Sequence, residues 1–237
     1  MHLSMLVPEL AAYTSAQLAT FFPDGRHRRA SELRPFVSLA LDRLEHCFAR
    51  INRPGYDVDG EPAFDHLHGD QYCTFLYYLS NTIHREGGDE ALCKKLYLLN
   101  RAMHGFGCLY DVDLPDVFCV VHGAGTVLGR ARYRDYLAVC HNTTIGAIGG
   151  VFPTMGERLI LSAGASLIGD CLVGDNVLLE PGCSLVKTSV PANTRVGGPG
   201  PYTFKPNTPR PAEYYFRLHE ASSAEESRAF AGAQESR

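Results

Sequence analysis

Two short segments of this chain gather residue types that move protons. In "FDHLHGDQY", Asp65, His66, His68 and Asp70 fall close together, and in "VHGAG", His122 precedes Gly123 and Gly125. Imidazole titrates near neutral pH and a carboxylate can orient it, so either segment suits proton transfer. Each also has a structural reading. Asp70 stands where a helix should begin and suits a cap, with the histidines solvated. His122, beside aliphatic Val121, suits a hydrogen-bonded histidine at the edge of a coil, and His141 reads as structural. The eight cysteines contain no C-x-x-C pair and read as buried packing thiols; Cys171 and Cys183, twelve apart, are expected on one face.

The elements that must position these groups show as a ladder. Val121, Val127, Tyr133, Val139 and Ile145, then Met155, Leu161, Leu167, Val173, Leu179 and Leu185, recur every six residues, with four extra residues between Ile145 and Met155. That period fits neither an α-helix nor a simple strand. It is the period of a parallel β-helix, in which short strands stack as coils and one residue per step enters a shared core. The Gly, Asn, Asp and Ser of "LSAGAS", "LIGDCL", "VGDNVL" and "LEPGCS" supply the corners.

The first half reads as helical. Val37, Leu41, Leu44, Phe48 and Ile51 follow helical spacing, as do Tyr72, Leu76, Leu79 and Ile83 before Gly87-Gly88, and Leu92, Leu96, Leu99 and Met103. The fold class is therefore α+β: an all-helical domain over residues 1–110, then a parallel β-helix of hexapeptide repeats over 111–200. The extension 201–237 ends in "EASSAEESRAFAGAQESR", too polar to join a core, and is expected to be partly mobile. A net charge of −4 offers no basic field for nucleic acid, and no segment approaches the roughly 18 apolar residues of a membrane span. "MHLSMLVPELAAY" lacks a basic region followed by a long apolar run, so a cytoplasmic protein is expected.

A helical half followed by "VHGAGTVLG", "NTTIGAIGG", "PTMGERLILSAGASLIGD" and "VKTSVPANTRVGG" resembles the serine O-acetyltransferases of the hexapeptide acyltransferase superfamily, over roughly residues 105–200. The resemblance implies a left-handed β-helix, acetyl-CoA as co-substrate with no metal, and His122 as general base on an acceptor hydroxyl. It implies an upstream aspartate as orienter of the base: Asp113 if one hexapeptide step is missing here, with Asp116 in reserve. His68 and Asp70 would line the acceptor pocket, part of which the helical domain supplies in that family. Gly146, Ala147, Ala163, Gly164, Ala165 and Gly198 would border a pantetheine groove between neighbouring β-helices, and Lys187 or Arg195 would meet the nucleotide phosphates. Three-fold packing of the flat faces implies a homotrimer, or a dimer of trimers.

Three departures bear on the acceptor. Val121 stands where the family has an acid before the base, Phe152 where it has a histidine before the loop proline, and Arg130 where it has a glutamate. Arg130 would favour an anionic group, and Phe152 would border the same acceptor. The acceptor implied is a hydroxyl of serine, of a related amino acid or of a sugar. Two other readings share the scaffold: a zinc site held between subunits, as in the γ-class carbonic anhydrases, using His122 and His141, or an assembly scaffold whose helical half binds a partner.

Overall fold

The computed structural model describes residues 1–26, 28–207 and 211–218; the expectation of a mobile tail falls, beyond residue 218, outside the described residues. Four helices come first: α1 (Val7–Phe21), α2 (Ala30–Phe48), α3 (Gly69–Arg85) and α4 (Glu90–His104). The apolar spacings at 37–48, 72–83 and 92–99 fall on α2, α3 and α4, and their residues are buried. Met103 differs, ending the stripe exposed near the end of α4. Ile51 is buried but lies beyond α2, in an isolated bridge with Phe216. The periodic reading did not reveal α1, because Ala11 and Thr14 supply half of its buried residues and small or polar side chains leave no apolar stripe. α3 is the central helix, buried at every position from Gln71 to Ile83, and it packs on both α2 and α4.

From Gly107 onward the chain forms a left-handed parallel β-helix of about five turns with three faces. The first face stacks Phe118–Val121, Leu137–Cys140, Ile160–Leu161, Leu178–Leu179 and Thr194–Gly197, and the antiparallel strand Thr203–Pro206 closes its end. The second stacks Gly107–Cys108, Val127–Leu128, Thr144–Gly146, Ser166–Ile168 and Ser184–Val186. Thr154–Met155 and Leu172–Val173 form the third, extended by bridges from Arg132 to Thr154 and from Val173 to Val190.

Inward columns follow directly from the pairing. Val120, Val139, Leu161, Leu179 and Val196 stack on the first face, and Leu128, Ile145, Leu167 and Leu185 on the second. From Val139 to Leu185 every rung of the ladder is buried, as its period requires. The first two rungs are corrected. Val127 is 47% exposed and Val121 half-buried, while Leu128 and Val120 point inward instead. Alternate residues of a strand face opposite sides, so a one-residue slip in register turns a core side chain outward. Eight residues separate Val120 from Leu128, two more than a hexapeptide step, and the surplus bulges the corner that carries His122 and Gly123.

The cysteine reading needs a similar correction. Eighteen residues complete an uninterrupted coil, as between Leu167 and Leu185, so residues twelve apart lie on different faces. Cys171 precedes a third-face strand and Cys183 a second-face strand. All eight cysteines are free thiols; seven are buried, and burial pushes Cys47 and Cys183 up to about 11.

Candidate active site

The bulged corner meets the start of α3. His122 has φ of +53°, a left-handed backbone that costs a non-glycine residue roughly 1–2 kcal/mol. The Asp70 carboxylate holds this corner by accepting from the His122 N–H at 2.9 Å and the Gly123 N–H at 3.2 Å. Gly123 permits the approach, since a Cβ there would lie 2.7 Å from Val120 Cγ1. The His122 side chain is 78% exposed, with Nδ1 3.9 Å from Asp70 Oδ2. That is an ion-pair separation, longer than a hydrogen bond.

Local sequence explains why Asp70 is available. The cap of α3 is His68, whose Nδ1 accepts from the Gln71 N–H at 3.4 Å, so the expected cap by Asp70 is corrected. Asp70 is thereby released into the first helical turn, where a negative charge suits the helix dipole. Buried Gln71 braces the approach, accepting from the Asp65 N–H at 2.7 Å and donating to the Gly55 carbonyl at 2.8 Å. Neither histidine of the segment is simply solvated: His66 Nδ1 lies 2.8 Å from Ser4 Oγ, and His68 packs edge-on to Tyr56.

His68, Asp70, Val121 and His122 thus line one cavity of about 310 Å³, joined by Arg53 and Tyr56. The sequence reading missed the last two, because "NRPG" signals only a turn and Tyr56 belongs to no periodic run. Asp113 lies elsewhere: its carboxylate accepts weakly from Asn81 Nδ2 at 3.5 Å. Asn81 follows Asp70 by eleven residues on α3, about 16 Å along the helix. Asp116 offers its backbone carbonyl to Tyr78 and does not line the cavity.

The remaining candidates divide between two corners. His122, His141, Ala163 and Pro181 all follow the paired first-face strands into one corner of the β-helix. Gly164 (φ of +71°) turns this corner. Ala165 is fully buried, with its N–H bonded to Ser162 and its carbonyl to Thr144, so it presents nothing outward. The same register places Arg130, Ala147, Gly169 and Lys187 along the next corner, one face away, with Gly146 just before it. The four-residue insertion emerges there as a small turn with Ile148 and Val151 paired and Phe152 exposed. Arg130 is paired with Asp111 at 2.5 Å, and Lys187 is exposed. Arg195 lies 4.0 Å from Glu180, and Gly198 (φ of +91°) turns the chain after the final parallel strand. One protomer therefore does not bring Arg130, Phe152 or Lys187 to His122. Among the described residues, no three His, Cys, Asp or Glu side chains converge as metal ligands, and no helix is long and apolar enough to cross a membrane.

His104, at the end of α4, packs edge-on to Tyr72, with its ring 4.0 Å from where a Gly69 Cβ would stand. Burial lowers its pKa, opposed by the Asp70 charge, so the folded state favours neutral imidazole. The unfolded chain takes up a proton below about pH 6.5 and the folded chain only at lower pH. Unfolding free energy should then fall as pH drops from about 6.5 toward the depressed value, by up to ~1.4 kcal/mol per pH unit. His104→Leu should remove that slope in urea titrations between pH 7 and 5.

No family model matches the chain. It is 33% identical over 84 residues to the serine acetyltransferase of Mycobacterium tuberculosis, covering 33% of this chain and 37% of that protein. With the serine acetyltransferase of Synechococcus elongatus it shares 33% identity over 108 residues, 43% of this chain and 44% of the relative. The chain thus spans less than half the length of these curated relatives. Solved structures align more broadly: serine acetyltransferase from Vibrio cholerae at a TM-score of 0.67, 18% identity, 86% of this chain and 81% of the other. The Brucella abortus enzyme in complex with coenzyme A aligns at a TM-score of 0.64 and 18% identity, covering 86% and 83%. These likenesses give a hexapeptide-repeat protein similar to serine O-acetyltransferases.

Proposed function

We propose that this chain is a CoA-dependent O-acetyltransferase in which His122 is the general base and Asp70, instead of Asp113, positions it. The observation that carries the reading is the carboxylate of Asp70 gripping the strained corner of His122 beside a small cavity. In the step proposed, the His122 imidazole takes the proton of an acceptor hydroxyl as its oxygen attacks the thioester carbonyl of acetyl-CoA. The tetrahedral adduct then expels the CoA thiolate, which recovers the proton from the imidazolium. Imidazole, which can take a proton and give it back near neutral pH, suits both halves of the exchange.

The division of candidates between two corners supports a homotrimer, with the donor groove between one protomer's His122 corner and a neighbour's corner bearing Arg130, Ala147, Phe152 and Lys187. Exposed Val127, Ile148, Val151, Phe152 and Val186, on the second face and its corner, give such a neighbour an apolar surface. Gly182, on the His122 corner, leaves open space where a Cβ would stand, which suits the close approach of a pantetheine arm. Serine, a related amino acid or a sugar is the acceptor of this reading, in a cytoplasmic enzyme.

The test is release of free CoA from acetyl-CoA with a panel of hydroxyl acceptors, alongside calorimetry with CoA. Acceptor-dependent release is expected; no CoA binding and no release with any acceptor would overturn the reading. One rival is a zinc site shared between subunits, for which His122 and His141 each stand one residue beyond the paired Val121 and Cys140. Stoichiometric zinc in the purified protein would support that site instead.

A further inference from the structure

Arg53 is a cation without a carboxylate in a cavity that faces the proposed base. Arg28, Lys95, Arg130 and Arg217 each have an acidic partner; Arg53 has none within 4.0 Å among the described residues. Its guanidinium is held from behind. It sits over the Tyr214 ring at 4.8 Å and near the Tyr215 ring at 5.8 Å, both beyond the β-helix in sequence.

That placement is built by the backbone. After the last coil the chain returns to the 50–57 loop and pairs with it. The Asn52 N–H donates to the Tyr215 carbonyl at 2.7 Å, Asn52 Nδ2 to the Glu213 carbonyl at 3.0 Å, and the Arg217 N–H to the Arg50 carbonyl at 2.8 Å. An ion pair between Arg217 and Asp57 ties the end down. The Tyr214 side chain also takes a hydrogen bond from the guanidinium, and the remaining N–H groups of its fork match a carboxylate.

We propose that Arg53, clamped by Tyr214 and Tyr215, grips the carboxylate of a small hydroxy acid or hydroxy amino acid whose hydroxyl is presented to His122. The inference rests on the acetyltransferase reading and specifies its acceptor. A monoanion fits better than a phosphate, because the cavity holds one guanidinium against the Asp70 carboxylate and is only about 310 Å³. It also shifts the anion-binding role from Arg130, which Asp111 already neutralises one face away.

The test compares L-serine with serinamide and glycerate with glycerol, by ligand-observed NMR titration and by kcat/KM with acetyl-CoA. The wild-type protein should prefer the carboxylate member of each pair by on the order of 10–100-fold. Arg53→Gln should bring that ratio close to one, through KM more than kcat. Tyr214→Ala, at an exposed position that leaves the core intact, should reduce it partway. Glycerol 3-phosphate, bound more tightly than glycerate, would overturn the carboxylate assignment. So would equal binding of serine and serinamide by the wild type, or full discrimination in both variants. The titration needs neither acetyl-CoA nor turnover, so failure of Arg53 and failure of the transferase reading appear in separate measurements.

Discussion

Replacing His122 by alanine should lower acetyl transfer by roughly 10²–10⁴-fold, the usual contribution of a positioned general base. The loss should fall on kcat, since in the proposed reaction the imidazole acts on a proton in flight and not on ground-state binding. Stability should hardly change. The side chain is 78% exposed and its removal opens no cavity, while the Asp70 bonds to this corner use backbone amides that alanine retains. His122→Gly sharpens the test. Glycine adopts φ of +53° without the left-handed penalty, so this variant should be more stable by about 1 kcal/mol and equally inactive. Activity and unfolding by urea would then move in opposite directions. Turnover at the wild-type rate in either variant would remove His122 from the chemistry.

The same corner shows where sequence reasoning reaches and where it stops. The six-residue period specified the β-helix because one inward residue per step is a property of the scaffold, repeated often enough to outlast local exceptions. It failed at Val121 and Val127 because two surplus residues shift the register of a single coil, and periodicity carries no information about an isolated insertion. His122 could be singled out by its glycine neighbours. Its partner was harder to find: Asp70 precedes it by fifty-two residues, on a helix whose cap turned out to be His68. The resemblance points to Asp113, the upstream aspartate if one hexapeptide step is missing, but α3 carries its contact about 16 Å from Asp70. Arg53 had no visible signal, because its meaning depends on tyrosines that return from beyond the β-helix.

Asp70→Ala should be the most damaging single change at this site. It leaves the N–H groups of His122 and Gly123 without their acceptor, and hydrogen bonds to a charged group contribute about 1.5–3 kcal/mol each. The carboxylate is only 18% exposed, so water replaces it poorly, and a loss of roughly 2–4 kcal/mol in unfolding free energy is expected. Activity should fall at least 10²-fold, because the corner that aims His122 loses its anchor. Asp70→Asn separates the two effects. One amide oxygen can still accept from one of the N–H groups, so most of the fold's stability should return, whereas the charge beside Nδ1 does not and kcat should stay low. The double variant Asp70→Ala/His122→Gly should lose somewhat more stability than the single changes predict, since releasing the corner from Asp70 already relieves the strain that glycine would remove. Asp113→Asn supplies the decisive contrast: it should leave kcat within a few-fold of wild type. If Asp113→Asn abolishes turnover and Asp70→Asn spares it, the base is positioned from along the β-helix and not from α3.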